Sequence, residues 1–233
     1  MSFTSTFFND TINLLYPVVC PGCGSDSLSA GQVLCFDCIN EMPVTDFYLH
    51  EQNPVERIFR GRLPLISACA HVYFTKDSAI QNMLHRLKYG GRKEIGIYMG
   101  KLIGEDLKTT APGKSLQGLV PLPLNNKKQK KRGYNQAQVI CEGIASKMNI
   151  PVLNDVIVRK KNTETQTHKS RAERWNNIEG KFELSNAAKV MNKHVLLVDD
   201  VVTTGATLES CGTELLKARG LQLSIAAFAY TTL

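Results

Sequence analysis

Residues 195–207 read Val-Leu-Leu-Val-Asp-Asp-Val-Val-Thr-Thr-Gly-Ala-Thr, and no other stretch constrains the fold of this chain as tightly. The apolar run Val195–Val198 has the composition of a strand buried on both faces, the kind found in parallel sheets. Two adjacent carboxylates, Asp199 and Asp200, end the run, and a turn rich in hydroxyls follows. A helical pattern begins at Leu208. Open α/β sheets bind ligands at the C-terminal ends of their strands, where this turn lies. Thr203, Thr204 and Thr207 add hydroxyl donors, and Gly205 lets the backbone approach an anion closely. Free N–H groups at the start of the next helix favour a phosphate. The two acids repel a phosphate but suit the diol of a sugar beside it, because an ionised carboxylate accepts two hydroxyl protons. The segment describes a pocket for a sugar 5′-phosphate.

This stretch resembles the binding loop of the type I phosphoribosyltransferases, which hold phosphoribosyl pyrophosphate (PRPP). The bland alternative is an ordinary strand–turn–helix carrying chance acids. Acids, threonines and glycine at coordinated offsets speak against it. The resemblance implies that Asp199, Asp200, Thr203, Thr204, Gly205, Ala206 and Thr207 bind PRPP.

Four of the seven cysteines form two pairs, Cys20-Pro-Gly-Cys23 and Cys35-Phe-Asp-Cys38, eleven residues apart. Two such pairs can set four thiolates tetrahedrally around Zn²⁺, as in a small zinc ribbon or treble clef, and Gly22 and Gly24 permit the tight turns. A redox pair is the first rival, but it opens a helix after a strand and does not come doubled. Disulfides are the second, and they conflict with the absence of a secretory signal. Four sulfur ligands leave no position for water, so the expected role of the zinc is structural. Cys69, Cys141 and Cys211 are scattered in apolar surroundings and are expected to be core thiols.

Charge divides the chain. The formal net charge is +7, yet the first Lys or Arg is Arg57. Residues 1–56 sum to −7 and residues 57–233 to +14. A polyanion is attracted to the second part, and DNA contact by the cysteine module is disfavoured. No apolar run approaches the ~20 residues that span a bilayer. The apolar positions Phe3, Phe7, Phe8, Ile12, Leu14 and Leu15 lack a preceding basic region and suggest a short helix ending before Pro17. The expected location is cytoplasmic.

Pro43 to about Arg62 is polar, interrupted by Pro54 and Gly61, and is expected to be a linker. Leu65–Phe74 reads as extended. Ser78–Leu107 carries helical periodicity broken at Gly90–Gly91, which predicts two helices, and residues 109–117 read as a second connector. From Gly118 strand and helix alternate: strands at Leu119–Leu122, Val152–Val158, Lys181–Leu184, His194–Asp199 and Leu223–Ala229. Helical stripes run through Ala137–Met148 and Leu208–Arg219, the latter closing at Gly220. The fold class is α/β, a type I phosphoribosyltransferase-like parallel sheet flanked by helices, preceded by a zinc module. The expected boundaries are 1–56 for the N-terminal helix and the four-cysteine zinc-binding module, 57–117 for a linker and hood-like helical segment, and 118–233 for the phosphoribosyltransferase-like domain.

Two further segments fit a pyrophosphate. Lys127-Lys-Gln-Lys-Lys-Arg132-Gly-Tyr-Asn follows the strand at Leu119–Leu122, on the edge where the acids belong. Its concentrated positive charge, with Lys131, Arg132 and Gly133 leading into a helix, suits the pyrophosphate; the alternative is a solvated basic loop. Residues 160–180, with Lys160, Lys161 and Lys169, form a long polar stretch. It is either a lid that excludes water from a reactive sugar or simple disorder. Ser170-Arg-Ala-Glu173 reads as a capping box that closes it.

The cysteine pairs, Leu87-Lys-Tyr-Gly-Gly-Arg92, Arg132-Gly-Tyr-Asn-Gln-Ala137, Thr165-Gln166 with Arg171, and the acid–threonine loop together resemble the ComF family, over nearly the whole chain and in order. That family joins a zinc finger to a phosphoribosyltransferase-like domain and is associated with DNA uptake during competence. The resemblance implies structural Zn²⁺, Mg²⁺ with PRPP, and partners among PRPP, single-stranded DNA or a DNA-uptake helicase. Three functions follow: a phosphoribosyltransferase with an unknown acceptor, a non-catalytic accessory protein binding single-stranded DNA, and a PRPP sensor. One departure matters. Some purine-salvage transferases place an aspartate, proposed as a base, where this loop has Thr203, and a threonine hydroxyl is no base near neutral pH.

Overall fold

The structure, a computed structural model, describes residues 19–29, 31–160 and 181–231. The helix expected before Pro17 and the segment 161–180, with Lys161, Lys169, Thr165, Gln166 and Arg171, lie outside the described residues.

Six strands occur among the described residues: β1 (Ser67–Tyr73), β2 (Gly118–Pro121), β3 (Ile157–Arg159), β4 (Phe182–Leu184), β5 (His194–Val202) and β6 (Gln222–Tyr230). Four of them form the central sheet in the order β1-β6-β5-β2, every pair parallel. The helices are α1 (Phe36–Asn40), α2 (Pro54–Phe59), α3 (Ala79–Tyr89), α4 (Lys93–Thr109), α5 (Ala111–Lys114), α6 (Asn126–Arg132), α7 (Gln136–Met148) and α8 (Ala206–Leu215). Alternation along β5 sends Leu196 and Val198 to one face, under α3, α4 and α7. Val195 and Leu197 face the other side, under α2 and α8. Cover on both faces is why the run 195–198 is apolar throughout. On the first face α4 and α7 approach so closely that a Cβ on Gly100 would sit 2.8 Å from the Cα of Gly143.

The α3–α4 pair forms as the periodicity predicts. Ser78 Oγ accepts the Gln81 N–H at 3.2 Å to start α3, and Ile80, Met83, Leu84 and Leu87 form its buried stripe. Gly91, at φ +68, turns the chain into α4.

Several expectations are corrected. The polar stretch 43–62 is not a plain linker but an ordered strap along the free edge of β1. Thr45 N donates to His71 O, Tyr73 N to Pro43 O, and Asn53 Nδ2 to Ala68 O at 2.8 Å. These bonds occupy an edge that would otherwise offer itself to another chain. Asn53 Oδ1 also caps α2 through the N–H groups of Val55 and Glu56. Val55 and Phe59 are fully buried. The cap and the following proline were readable signals outweighed by polarity.

The basic segment 127–132 is not a flexible loop but α6, capped by Asn125 and closed by Gly133 at φ +80. The run 152–158 yields a bridge at Val152 and then β3, which pairs with β4 in a separate antiparallel ribbon. The acids do not end β5, which continues to Val202 because β6 stays paired to it through Tyr230.

Candidate functional site

The crevice beside the acids arises from unequal strand lengths. Pro121 pairs with Val198, Leu122 N donates to Val198 O at 2.9 Å, and the β2 chain then leaves the sheet. Asp199–Val202 thus runs on with β6 on one side and, among the described residues, no strand on the other. Asp200 falls on the face of Leu196 and Val198, and Asp199 on the opposite face. Asp199 Oδ1 accepts the N–H of Asp200 at 2.8 Å. Burial, with the neighbouring Asp200 carboxylate second, pushes the Asp199 carboxyl well above the usual carboxylate range. Both acids are half-buried, not exposed at an edge. Asp200 Oδ2 lies 2.8 Å from Lys88 Nζ, the last-turn lysine of α3, with the side chains 13% and 25% exposed.

The turn after β5 presents donors outward. Thr203, Thr204 and Thr207 are exposed, and Gly205 is the N-cap residue of α8 at φ +73. The N-cap residue has no side chain to cap that helix start, and the Ala206 N–H reaches only Thr204 Oγ1, at a long 3.5 Å. The outward face of the turn therefore combines hydroxyls with helix-start N–H groups, a ready seat for an anion. Its inner face is rigid. A Cβ on Gly205 would meet Ile58 Cγ2 at 2.6 Å and Phe59 Cε1 at 2.8 Å. Arg62 Nη1 donates to Thr204 O at 3.2 Å while its guanidinium pairs with Glu209.

The third wall is basic. Lys127, Lys128, Lys130 and Lys131 are exposed on α6. Arg132 places its guanidinium 5.2 Å from the Tyr89 ring centroid and donates to Gln136 Oε1 at 2.7 Å. Its hydrogen bond and charge hold the Tyr89 phenol below its usual range. Tyr134 OH donates to Leu87 O, and Asn135 Nδ2 donates to Leu122 O at 3.0 Å. The Arg132–Gln136 segment therefore ties the end of α3 to the exit of β2, and Gly133 is exposed at the α6–α7 junction. Lys160 is exposed at the end of β3 and donates its N–H to Lys181 O; its ribbon packs on α8 rather than on the basic wall.

The four cysteines of the two pairs converge. Their Sγ atoms all lie within 4.8 Å of one another, with Cys20–Cys38 at 3.7 Å and Cys23–Cys35 at 3.6 Å. A tetrahedral zinc with Zn–S bonds of about 2.3 Å sets its sulfurs about 3.8 Å apart, so the cluster fits that metal. The N–H of Cys35 points at Cys20 Sγ and that of Ser25 at Cys23 Sγ, as sulfur carrying negative charge requires. Gly22 has no room for a side chain, since a Cβ would lie 2.9 Å from Cys38 Sγ, and Asn82 of α3 donates to its carbonyl at 2.7 Å. Cys141 and Cys211 are buried and burial drives their thiols far up. Cys69 is half-buried, with burial raising its thiol to about 12.

The structure thus brings the acids and the phosphate turn together on one strand–turn–helix, with α6 and the α6–α7 junction beside the end of α3. Sequence reasoning did not assign Lys88 or Arg62 to the site. The motif Leu87–Arg92 was the available signal for Lys88; no motif marks Arg62, which holds the Ile58 carbonyl four residues back and otherwise finds its partners 142 and 147 residues away.

The Phosphoribosyl transferase domain family matches residues 135–231, which hold α7 through β6 and the whole acid–threonine loop. This defines the class: a parallel sheet of the phosphoribosyltransferase type. Over a longer span, competence protein F of Haemophilus influenzae is 30% identical across 204 residues, 87% of this chain and 80% of that protein. Competence protein ComFC of Bacillus subtilis is 27% identical over 212 residues, 90% of this chain and 76% of that one. DNA utilization protein YhgH of Salmonella typhimurium is 30% identical over 138 residues, which span 60% of its length. The chain belongs to the ComF family of competence proteins. Among the described residues no helix is long and apolar enough to cross a membrane.

Proposed function

We propose that this chain binds PRPP with Mg²⁺ in the crevice beside Asp199 and Asp200 and, in the cytoplasm, transfers the phosphoribosyl group to an acceptor. One observation carries the reading: a helix start with a glycine N-cap, its first N–H held only by a long bond to Thr204 Oγ1, follows on a tight turn from two carboxylates on a strand that outruns its neighbour. The 5′-phosphate takes the N–H groups of Ala206 and Thr207 and the hydroxyls of Thr203 and Thr204. The ribose hydroxyls take the carboxylates. Lys131 and Arg132 on the basic wall, with Gly133, flank the pyrophosphate, and Lys160, Lys161 and Lys169 belong to the segment that covers it. Carboxylate oxygens are the hard donors Mg²⁺ accepts, and the ion would neutralise the departing pyrophosphate. Thr203 offers no base for a nucleobase acceptor. Zn²⁺ held by Cys20, Cys23, Cys35 and Cys38 is structural, with all four positions taken by sulfur.

A second reading draws on the four exposed lysines of α6 and on the competence and DNA utilization names of the relatives. In it the same basic wall holds single-stranded DNA, without chemistry, alongside a DNA-uptake helicase, or PRPP serves as a sensed signal. The acids favour a ribose, because DNA has no 2′-hydroxyl to engage them.

Titration calorimetry with PRPP, with and without Mg²⁺, tests the first reading. The double variant Asp199→Asn/Asp200→Asn is expected to bind PRPP at least about tenfold more weakly while its melting curve stays cooperative, since hydrogen bonds to charged groups are worth that much. Unchanged affinity would make the loop a structural turn.

A further inference from the structure

The ion pair between Lys88 and Asp200 joins the two halves of the crevice, and PRPP binding as proposed leaves Lys88 without a part. Lys88 reaches Asp200 from α3, a helix remote in sequence from the acid strand, and its position is built rather than accidental. The Leu87 carbonyl is held by Tyr134 OH. Tyr89, the next residue, lies under the Arg132 guanidinium. Gly90 ends α3 where a Cβ would meet Arg86 O at 2.8 Å, and Gly91 turns away at φ +68. Together these features fix the last turn of α3, and with it the root of Lys88, between the carboxylates and the basic wall. At 13% and 25% exposure, neither charge has much water to fall back on when its partner is withdrawn.

We propose that Lys88–Asp200 is an exchangeable pair, in which a ligand must replace both partners at once. The proposal rests on the PRPP reading of the site. The diol of the sugar takes Asp200, and the freed ammonium of Lys88 takes a phosphate oxygen of the same molecule. A ligand with an anion but no diol draws Lys88 away and strands Asp200 half-buried and unpaired. A ligand with a diol but no anion strands Lys88. The pair thus selects molecules carrying both groups, a sugar bearing phosphate or pyrophosphate, against bare polyanions.

Sodium pyrophosphate and PRPP with Mg²⁺ are titrated into wild type, Lys88→Met, Asp200→Asn and the double variant, each checked for a cooperative melt and retained metal. Lys88→Met is expected to weaken both ligands by about tenfold, the loss of one charge-assisted hydrogen bond. Asp200→Asn is expected to act in opposite directions, weakening PRPP by about tenfold and tightening pyrophosphate by at least about threefold, because Lys88 is no longer engaged. In the Lys88→Met background that gain in pyrophosphate affinity disappears, as coupling between the two residues demands. A gain that persists there marks a simple field effect of the deleted charge and overturns the exchange. So do weakening of both ligands by Asp200→Asn, indifference of both to Lys88→Met, and failure of wild type and Asp200→Asn alike to bind pyrophosphate. A wild type that binds pyrophosphate and not PRPP overturns the substrate instead, while the pyrophosphate arm still decides the pair. Should Lys88→Met fail to fold, Lys88→Gln replaces it, and Lys88→Arg is expected to keep the wild-type order of affinities.

Discussion

Asp199 and Asp200 are chain neighbours that meet different surroundings because a strand turns alternate residues to opposite faces. Asp200 meets a lysine; Asp199 meets the packed interior and the amide of its neighbour. With its carboxyl raised, Asp199 holds its proton more tightly in the folded unliganded chain than in the unfolded chain, where a value of about 3.9 applies. The stability it contributes is therefore complete below that value and is lost as pH rises through the raised one. Thermal melts from about pH 4 to pH 8 are expected to show wild-type stability declining across that window, and Asp199→Asn to flatten the decline. At the upper end of that range the variant is expected to melt about 2–4 °C higher, ~1 kcal/mol for a chain of this size. Equal slopes for the two proteins would place the Asp199 carboxyl in contact with water.

At the scale of elements, α6 gathers Lys127, Lys128, Lys130 and Lys131 over two turns, and its closure at Gly133 points the next segment into the site. Helical spacing keeps these side chains outside the core, so their replacement leaves packing intact. Single-stranded DNA is expected to bind through this helix with an affinity that falls steeply with salt, since each neutralised phosphate releases a counterion. Changing all four lysines to Gln is expected to lower the slope of log K against log salt by about 0.7 for each phosphate left without a lysine. Fluorescence anisotropy with a labelled oligothymidine between about 50 and 300 mM salt, the range where such slopes are resolved, measures it. An unchanged slope would move DNA to another surface.

For the molecule as a whole, the cysteine module and the sheet share one core. Cys20, Leu34, Cys35 and Cys38 pack in the same cluster as Met83, Leu87, Met99 and Phe228. Asn82 also binds the Gly22 carbonyl from α3, the helix that carries Lys88. The cysteine cluster, α3 and the crevice beside the acids are thus mechanically continuous. Cys38→Ser is expected to lose zinc, to lower the single melting transition by about 4–8 °C, ~2 kcal/mol, and to weaken PRPP binding. Calorimetric melts with metal analysis check this. Two independent transitions, only one of them zinc-dependent, would show that the module folds apart from the sheet.

The features legible from sequence were those encoded by neighbours along the chain. The strand–turn–helix at 195–207, the two helices broken at Gly90–Gly91 and the doubled cysteine pairs each carry their own periodicity, donors or ligands in a short stretch of chain. What tertiary structure alone decided depended on residues far apart in sequence. The strap 43–62 lacks an apolar pattern because its buried apolar residues, Phe47, Val55 and Phe59, are irregularly spaced and it satisfies a sheet edge with Asn53 and backbone groups, a partner that exists only after β1 has joined β6. The extension of β5 past the acids was set by pairing with β6, and the opening beside them by the early departure of β2. Lys88 reads in sequence as one more last-turn lysine of an amphipathic helix. It becomes part of the site because packing of Leu87 under Tyr134 brings α3 to Asp200, 112 residues further along the chain. Local periodicity specifies which elements form; hydrogen bonds and charges between distant elements specify which side chains share a crevice.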